Sequence, residues 1–157
     1  MDLIEYEYIT TGAQVGAAMA AIVALFLPMF HRAGERKRKL ELLQRELARN
    51  MSLLGEIAAL PPVIPSGNES QTVLSADSTM RYLLEAVTLR NWDRFKYEIA
   101  TAPYVCMERH CDHIHSVLIY WNTHFDYHYT RHSCESTVEA YDHDARVCKF
   151  LPTRKMN

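Results

Sequence analysis

Apolar positions are unevenly distributed along the 157-residue chain. From Ile9 to Phe30 no charged side chain occurs, and the mildly polar Thr10, Thr11 and Gln14 all lie in the first part of that run. As a helix rising about 1.5 Å per residue the run extends roughly 33 Å, which matches a hydrocarbon core about 30 Å thick. A continuous helix also gives each backbone N–H and C=O an internal partner, as lipid demands. The pattern therefore predicts a transmembrane helix over 9–30, with Pro28 in its last turn as a place to bend. A secretory signal would need a basic flank before the apolar stretch, and here the flank is acidic. A helix lying flat at the interface would need a charged face, which this segment lacks. The alanine-rich core helix of a soluble protein is the remaining, minor alternative.

After the apolar run the period changes. Leu40, Leu43, Leu47, Leu54 and Ile57 follow heptad spacing, with Asn50 in the remaining core position, so 31–60 reads as a helical stalk. The stripe is short for a self-standing coiled coil, and packing against the rest of its own chain is the preferred reading. Pro61, Pro62 and Pro65 end this helix, and 61–74 reads as a linker loop. From 75 to 157 further helices are expected. Ser75 or Asp77 caps the first, which carries Met80, Leu83, Leu84 and Val87. A short helix is expected from Trp92 to Ala100, capped by Asn91. A long one is expected from Pro103 to about His132, burying Cys111, Ile114, Leu118, Trp121 and Phe125. A last helix is expected from Ser136 to Phe150. No strand alternation appears, so the fold class is all-α: a transmembrane helix continuing into a stalk and a small helical bundle.

Charge fixes an orientation. Residues 1–8 carry Asp2, Glu5 and Glu7 and no Lys or Arg, whereas Arg32, Arg36, Lys37, Arg38 and Lys39 follow the apolar run. Basic flanks stay on the cytoplasmic side, which predicts residues 1–8 outside and everything after the span inside, in a bacterial inner membrane. Tyr6 and Tyr8 at one end, and Phe26 and Phe30 at the other, sit where interfacial aromatics belong. The net charge of −2 offers no overall basic excess for nucleic acid. Within the span Gly12, Gly16, Ala20 and Ala24 recur at every fourth position. Small residues at this spacing let helix backbones approach closely in lipid, so they are the expected self-association face and make a homo-oligomer the expected state.

The apolar span with its basic flank, the segment LELLQRELARNMSLLGEI, and NWDRFKYEIA followed by IHSVLIYWNTHF together give the chain a resemblance. It resembles a loosely defined group of small uncharacterised bacterial and phage single-pass membrane proteins. The resemblance implies a membrane-anchored helical protein carried by phages or mobile elements, and it transfers no active site.

The last third departs from that group. Seven of the eight histidines and all four cysteines fall between Cys106 and Cys148. On a single helix His124, His128 and His132 would step along one face, and Cys106 with His110 would be one turn apart. Zinc favours such nitrogen and sulfur ligands. Neither CxxC hooks nor a Glu-x-x-His motif occurs, so structural or surface roles are the leading reading and zinc the lesser one; no other cofactor is implied. Nor is there a phosphate-cradling glycine loop, a nucleophile elbow or HExxH, and no catalytic residue is nominated. The expected function is thus non-enzymatic: a membrane protein that self-associates and presents a helical domain to a cytoplasmic protein partner, in phage–host conflict such as superinfection exclusion or a membrane effector role. A Cys/His-rich metal- or redox-responsive membrane sensor is the alternative.

Overall fold

The computed structural model describes residues 3–62, 70–99 and 105–153, with side-chain surroundings for 15–62, 75–98 and 105–153. All regular elements among the described residues are helices: α1 Leu3–Ala58, α2 Ser70–Ala86, α3 Arg90–Ile99, α4 Val105–His124 and α5 Tyr127–Ala145. Pro28 lies inside α1, which runs on through it. The chain divides into two units, one up to Lys39 and one from Leu40 onward. In the first unit the apolar residues of α1 from Val15 to Phe30 are exposed. In the second, the same helix contributes a buried ridge.

That ridge is the heptad stripe. Leu43, Leu47, Met51, Leu54 and Ile57 are buried, in one core with Met80, Leu84, Trp92, Phe95, Met107, Ile114, Trp121, Val138 and Tyr141. The stripe is therefore consumed within its own chain, and of the 31–60 segment only residues 40–60 belong to the folded unit, while 31–39 fall in the first unit. Met80, Leu83, Leu84 and Val87 are all buried, as their helical spacing predicts.

Two polar side chains on α1 organise the turn between α2 and α3. Asn50, fully buried, donates from Nδ2 to the Thr88 carbonyl at 2.6 Å, and its Oδ1 accepts from the Thr88 N–H at 3.2 Å. One carboxamide thus satisfies both backbone groups of a residue that no helix can serve. Glu46 accepts from the N–H groups of Asn91 and Trp92, one on each carboxylate oxygen at 3.0 Å. Those are free donors of the first turn of α3, where the helix dipole also favours a negative charge. The expected Asn91 cap is thus corrected: α3 starts at Arg90, and its first turn is capped from another helix. The other helix boundaries differ as well. α2 starts at Ser70, inside the segment read as loop, because Gln71, Leu74 and Ala76 are adequate helix formers.

The largest correction concerns α4 and α5. The helix expected to run to about His132 ends at His124, and α5 begins at Tyr127 instead of Ser136 and ends at Ala145. Phe125 has φ 52°, the left-handed conformation that stops a helix. Asp126 follows in extended geometry and caps α5, its side chain accepting from the Tyr129 N–H at 2.9 Å. The break also shifts the buried stripe. Val117 is buried, Leu118 half-buried, and Phe125, expected inside, is 58% exposed.

Candidate functional site

Three groupings of residues carry the chemistry of the chain. The first is the apolar part of α1. Val15, Met19, Ile22, Val23, Leu25, Phe26, Leu27, Met29 and Phe30 are all at least half exposed. An unbroken apolar surface of this kind is unfavourable in water and marks contact with lipid or protein. By length and composition this helix can cross a membrane. Of the small-residue face, Gly16, Ala20 and Ala24 are exposed, and a Cβ built at Gly16 meets nothing within 4 Å. Gly12 lies outside the residues whose surroundings are described. Arg32, Arg36, Lys37 and Arg38 are exposed and Lys39 is half-buried. Among them His31 and Glu35 approach to 3.3 Å one turn apart.

The second grouping is histidine-rich. Because the helix breaks at Phe125, His124 ends α4 while His128 and His132 lie on α5, so the three do not share one helical face. Each has a local partner instead. His124 stacks on Tyr120 with ring centroids 4.4 Å apart, and its Nδ1 lies 2.6 Å from the Thr123 hydroxyl. His128 sits edge-on to Tyr127, and His132 faces Glu135 at 3.6 Å. Between α4 and α5 a groove of about 700 Å³ is lined by His113, Tyr120, His124, Tyr129 and His132 with several hydroxyl side chains. Among the described residues no three of His, Cys, Asp and Glu are grouped so as to hold a metal ion.

The third grouping, at the start of α4 and the end of α5, is the one that sequence reasoning missed. His110 is fully buried, and its Nε2 lies 3.0 Å from Asp144 Oδ2. The same carboxylate binds the Arg109 guanidinium and lies 3.4 Å from His143. Tyr141 packs edge-on to the His110 ring at 5.1 Å. Burial lowers the basicity of His110, and the hydrogen bond to Asp144 offsets this only in part. For Asp144 burial opposes ionisation, but the His143 hydrogen bond, Arg109 and His110 together hold its carboxyl below the ordinary range. The pair has the composition of a catalytic dyad but is closed to solvent at the imidazole. What it does here is tie α4 to α5. Its sequence signal was the second residue of the Arg109–His110 pair, which helical spacing places on the same side as Ile114 and Trp121.

Cys106 and Cys148 belong to this same corner. Cys106 lies one turn before His110; the neighbouring Cys148 thiol first, and burial second, push its thiol pKa up. Cys111 and Cys134 are buried, and burial raises both, Cys134 to about 12. Matched against protein-family models, curated proteins and solved structures, the chain finds no counterpart in any of the three.

Proposed function

We propose that the chain is a single-pass membrane protein whose apolar helix anchors and self-associates, and whose helical bundle is offered to a protein partner on the cytoplasmic side. One observation carries this reading: within α1 the apolar residues from Val15 to Phe30 are exposed, and the ridge of Leu43, Leu47, Met51, Leu54 and Ile57 is buried. The buried half needs no second protein, whereas the exposed half needs a nonpolar surrounding. Arg32, Arg36, Lys37, Arg38 and Lys39 supply the positive flank that retains the following domain inside, in the inner membrane, with residues 1–8 outside. The resemblance to phage and bacterial membrane proteins is what supports a setting in phage–host conflict, as superinfection exclusion or a membrane effector.

Self-association is tested at Gly16. Since a Cβ there meets nothing in the single chain, Gly16→Ile does not disturb the monomer. In an oligomer packed through Gly16, Ala20 and Ala24 it separates the backbones, at an expected cost of about 1–2 kcal/mol. In a membrane two-hybrid assay Gly16→Ile lowers the signal, while Ala18→Ile, on the opposite side of the helix, leaves it unchanged. Equal signals from the two variants and the parent, or no signal from the parent, remove the self-association reading.

A further inference from the structure

We propose that the part of α1 just after the apolar run is a docking site for anionic phospholipid, with Arg32 and Arg36 holding the headgroup phosphate. The proposal rests on the single-pass membrane reading and adds to it the class of lipid. Depth is the first observation. Because α1 continues through Pro28 as one helix, Arg32 lies about 3 Å and Arg36 about 9 Å past Phe30, the last residue of the apolar run. A headgroup layer is roughly 5–8 Å deep on each side of the hydrocarbon. Arg32 is inside that layer, and Arg36 reaches back into it with its long side chain. Lys37, Arg38 and Lys39 lie further into the aqueous side, where they act only through the longer-range field. Retaining a domain inside needs positive charge anywhere within about 15–20 residues of the span, so it does not by itself demand arginines at headgroup depth.

Charge and shape are the second. From His31 to Lys39 the one acid is Glu35, and its carboxylate faces His31 at 3.3 Å. Arg32 and Arg36 are likewise one turn apart, but about 100° further round the helix, and both are exposed. Two guanidinium forks on one stripe suit a phosphate, whose oxygens accept paired N–H bonds. Immediately before them, Leu27, Pro28, Phe30 and His31 line a notch of about 450 Å³ that is apolar except at His31. A free phosphate gains nothing from that notch, whereas an acyl chain lies along it while its own headgroup stands at Arg32. The site therefore fits a molecule that is apolar at one end and anionic at the other. Charge complementarity selects phosphatidylglycerol over phosphatidylcholine, because a zwitterionic headgroup brings its own cation to the same arginines.

Electron spin resonance of chain-labelled phosphatidylglycerol and phosphatidylcholine, each in phosphatidylcholine bilayers containing the full chain, provides the test. Lipid held against the protein gives a motionally restricted component. The expected result is that phosphatidylglycerol associates at least about fivefold more strongly than phosphatidylcholine, the factor that one basic residue contributes at an anionic surface, and that added salt reduces the preference. Arg32→Gln with Arg36→Gln brings the ratio close to one, whereas Lys37→Gln with Arg38→Gln leaves it within about twofold of the parent. All four side chains are exposed and glutamine is a good helix former, so both variants keep the helix. Equal association of the two lipids with the parent, or equal losses in the two variants, overturns the proposal and leaves the anchor intact. Displacement of phosphatidylglycerol by inorganic phosphate at constant ionic strength also overturns it, because the site then takes the free anion. No restricted component for either lipid removes the anchor itself, and the proposal with it.

Discussion

Single side chains in this protein satisfy backbone groups that the helices leave over, and their replacement has calculable consequences. Asn50 is the clearest. Replacing it with Ala leaves the Thr88 N–H and C=O without their partner, and loses about 2–3 kcal/mol in chemical denaturation. Asn50→Asp retains one acceptor, loses both donors, and buries a charge, so it is worse than Ala. At His110 the sign of the pH effect follows from its lowered basicity. The unfolded chain binds a proton near the ordinary imidazole value of 6.5, before the folded one does. Stability attributable to His110 is present above that value and declines as pH falls below it. Asp144, held below its ordinary 3.8, adds a second loss at still lower pH. Denaturation midpoints are expected to fall between pH 7 and pH 5, and His110→Phe is expected to flatten that fall; a midpoint independent of pH in the parent contradicts it. Neither role was legible from the chain alone. Asn50 has the spacing of a coiled-coil core residue, and nothing local announces that its partner is 38 residues away.

Among the elements, those defined by local pattern were readable and those defined by exceptions were not. The α2 stripe and the α1 ridge from Leu43 on obey helical spacing and are buried where spacing places them, while Leu40, at the start of the predicted stripe, is half-buried. The α4–α5 break has no glycine or proline to mark it. It depends on a phenylalanine in the left-handed region and on Asp126 as a cap, and Asp126 was the one available signal. Missing it merged two helices and produced a false histidine face. A left-handed aromatic stores strain of order 1 kcal/mol, partly offset by the Trp121 edge contact and the nearby Arg81 guanidinium. Phe125→Asn is therefore expected to hold stability within about 0.5 kcal/mol, because asparagine tolerates this conformation. Phe125→Val is expected to cost more than about 1 kcal/mol, because a branched Cβ does not. Equal thermal shifts for the two variants would rule out strain as the reason for the break. The buried ridge makes its own prediction: a fragment of residues 32–157 is monomeric in light scattering, since Leu43, Leu47 and Leu54 are already covered within the chain. An oligomeric fragment moves the association site from the span to the helical domain.

At the scale of the whole molecule, the defining feature is the contrast between the two ends of α1. Composition alone conceals it, because a hydrophobic content of 48% is ordinary for a soluble protein. Position reveals it, through the uncharged run before Arg32 and the heptad leucines after it. The structure adds that Leu43, Leu47 and Leu54 are covered and the apolar run from Val15 on is not. The candidate chemistry behaves in the opposite way. The clustering of histidine and cysteine was plain in the sequence, but which partners they meet is a matter of tertiary placement: His110 with Asp144, and His124 with Tyr120. The most direct measurement on the central claim is the fluorescence of a C-terminal green fluorescent protein fusion in bacterial membranes washed with alkaline carbonate. The reporter fluoresces only when it folds in the cytoplasm, and the wash removes everything not held by the bilayer. Fluorescence retained in the washed pellet is the expected result. Fluorescence in the soluble fraction contradicts the anchor, and a pellet containing non-fluorescent fusion contradicts the orientation.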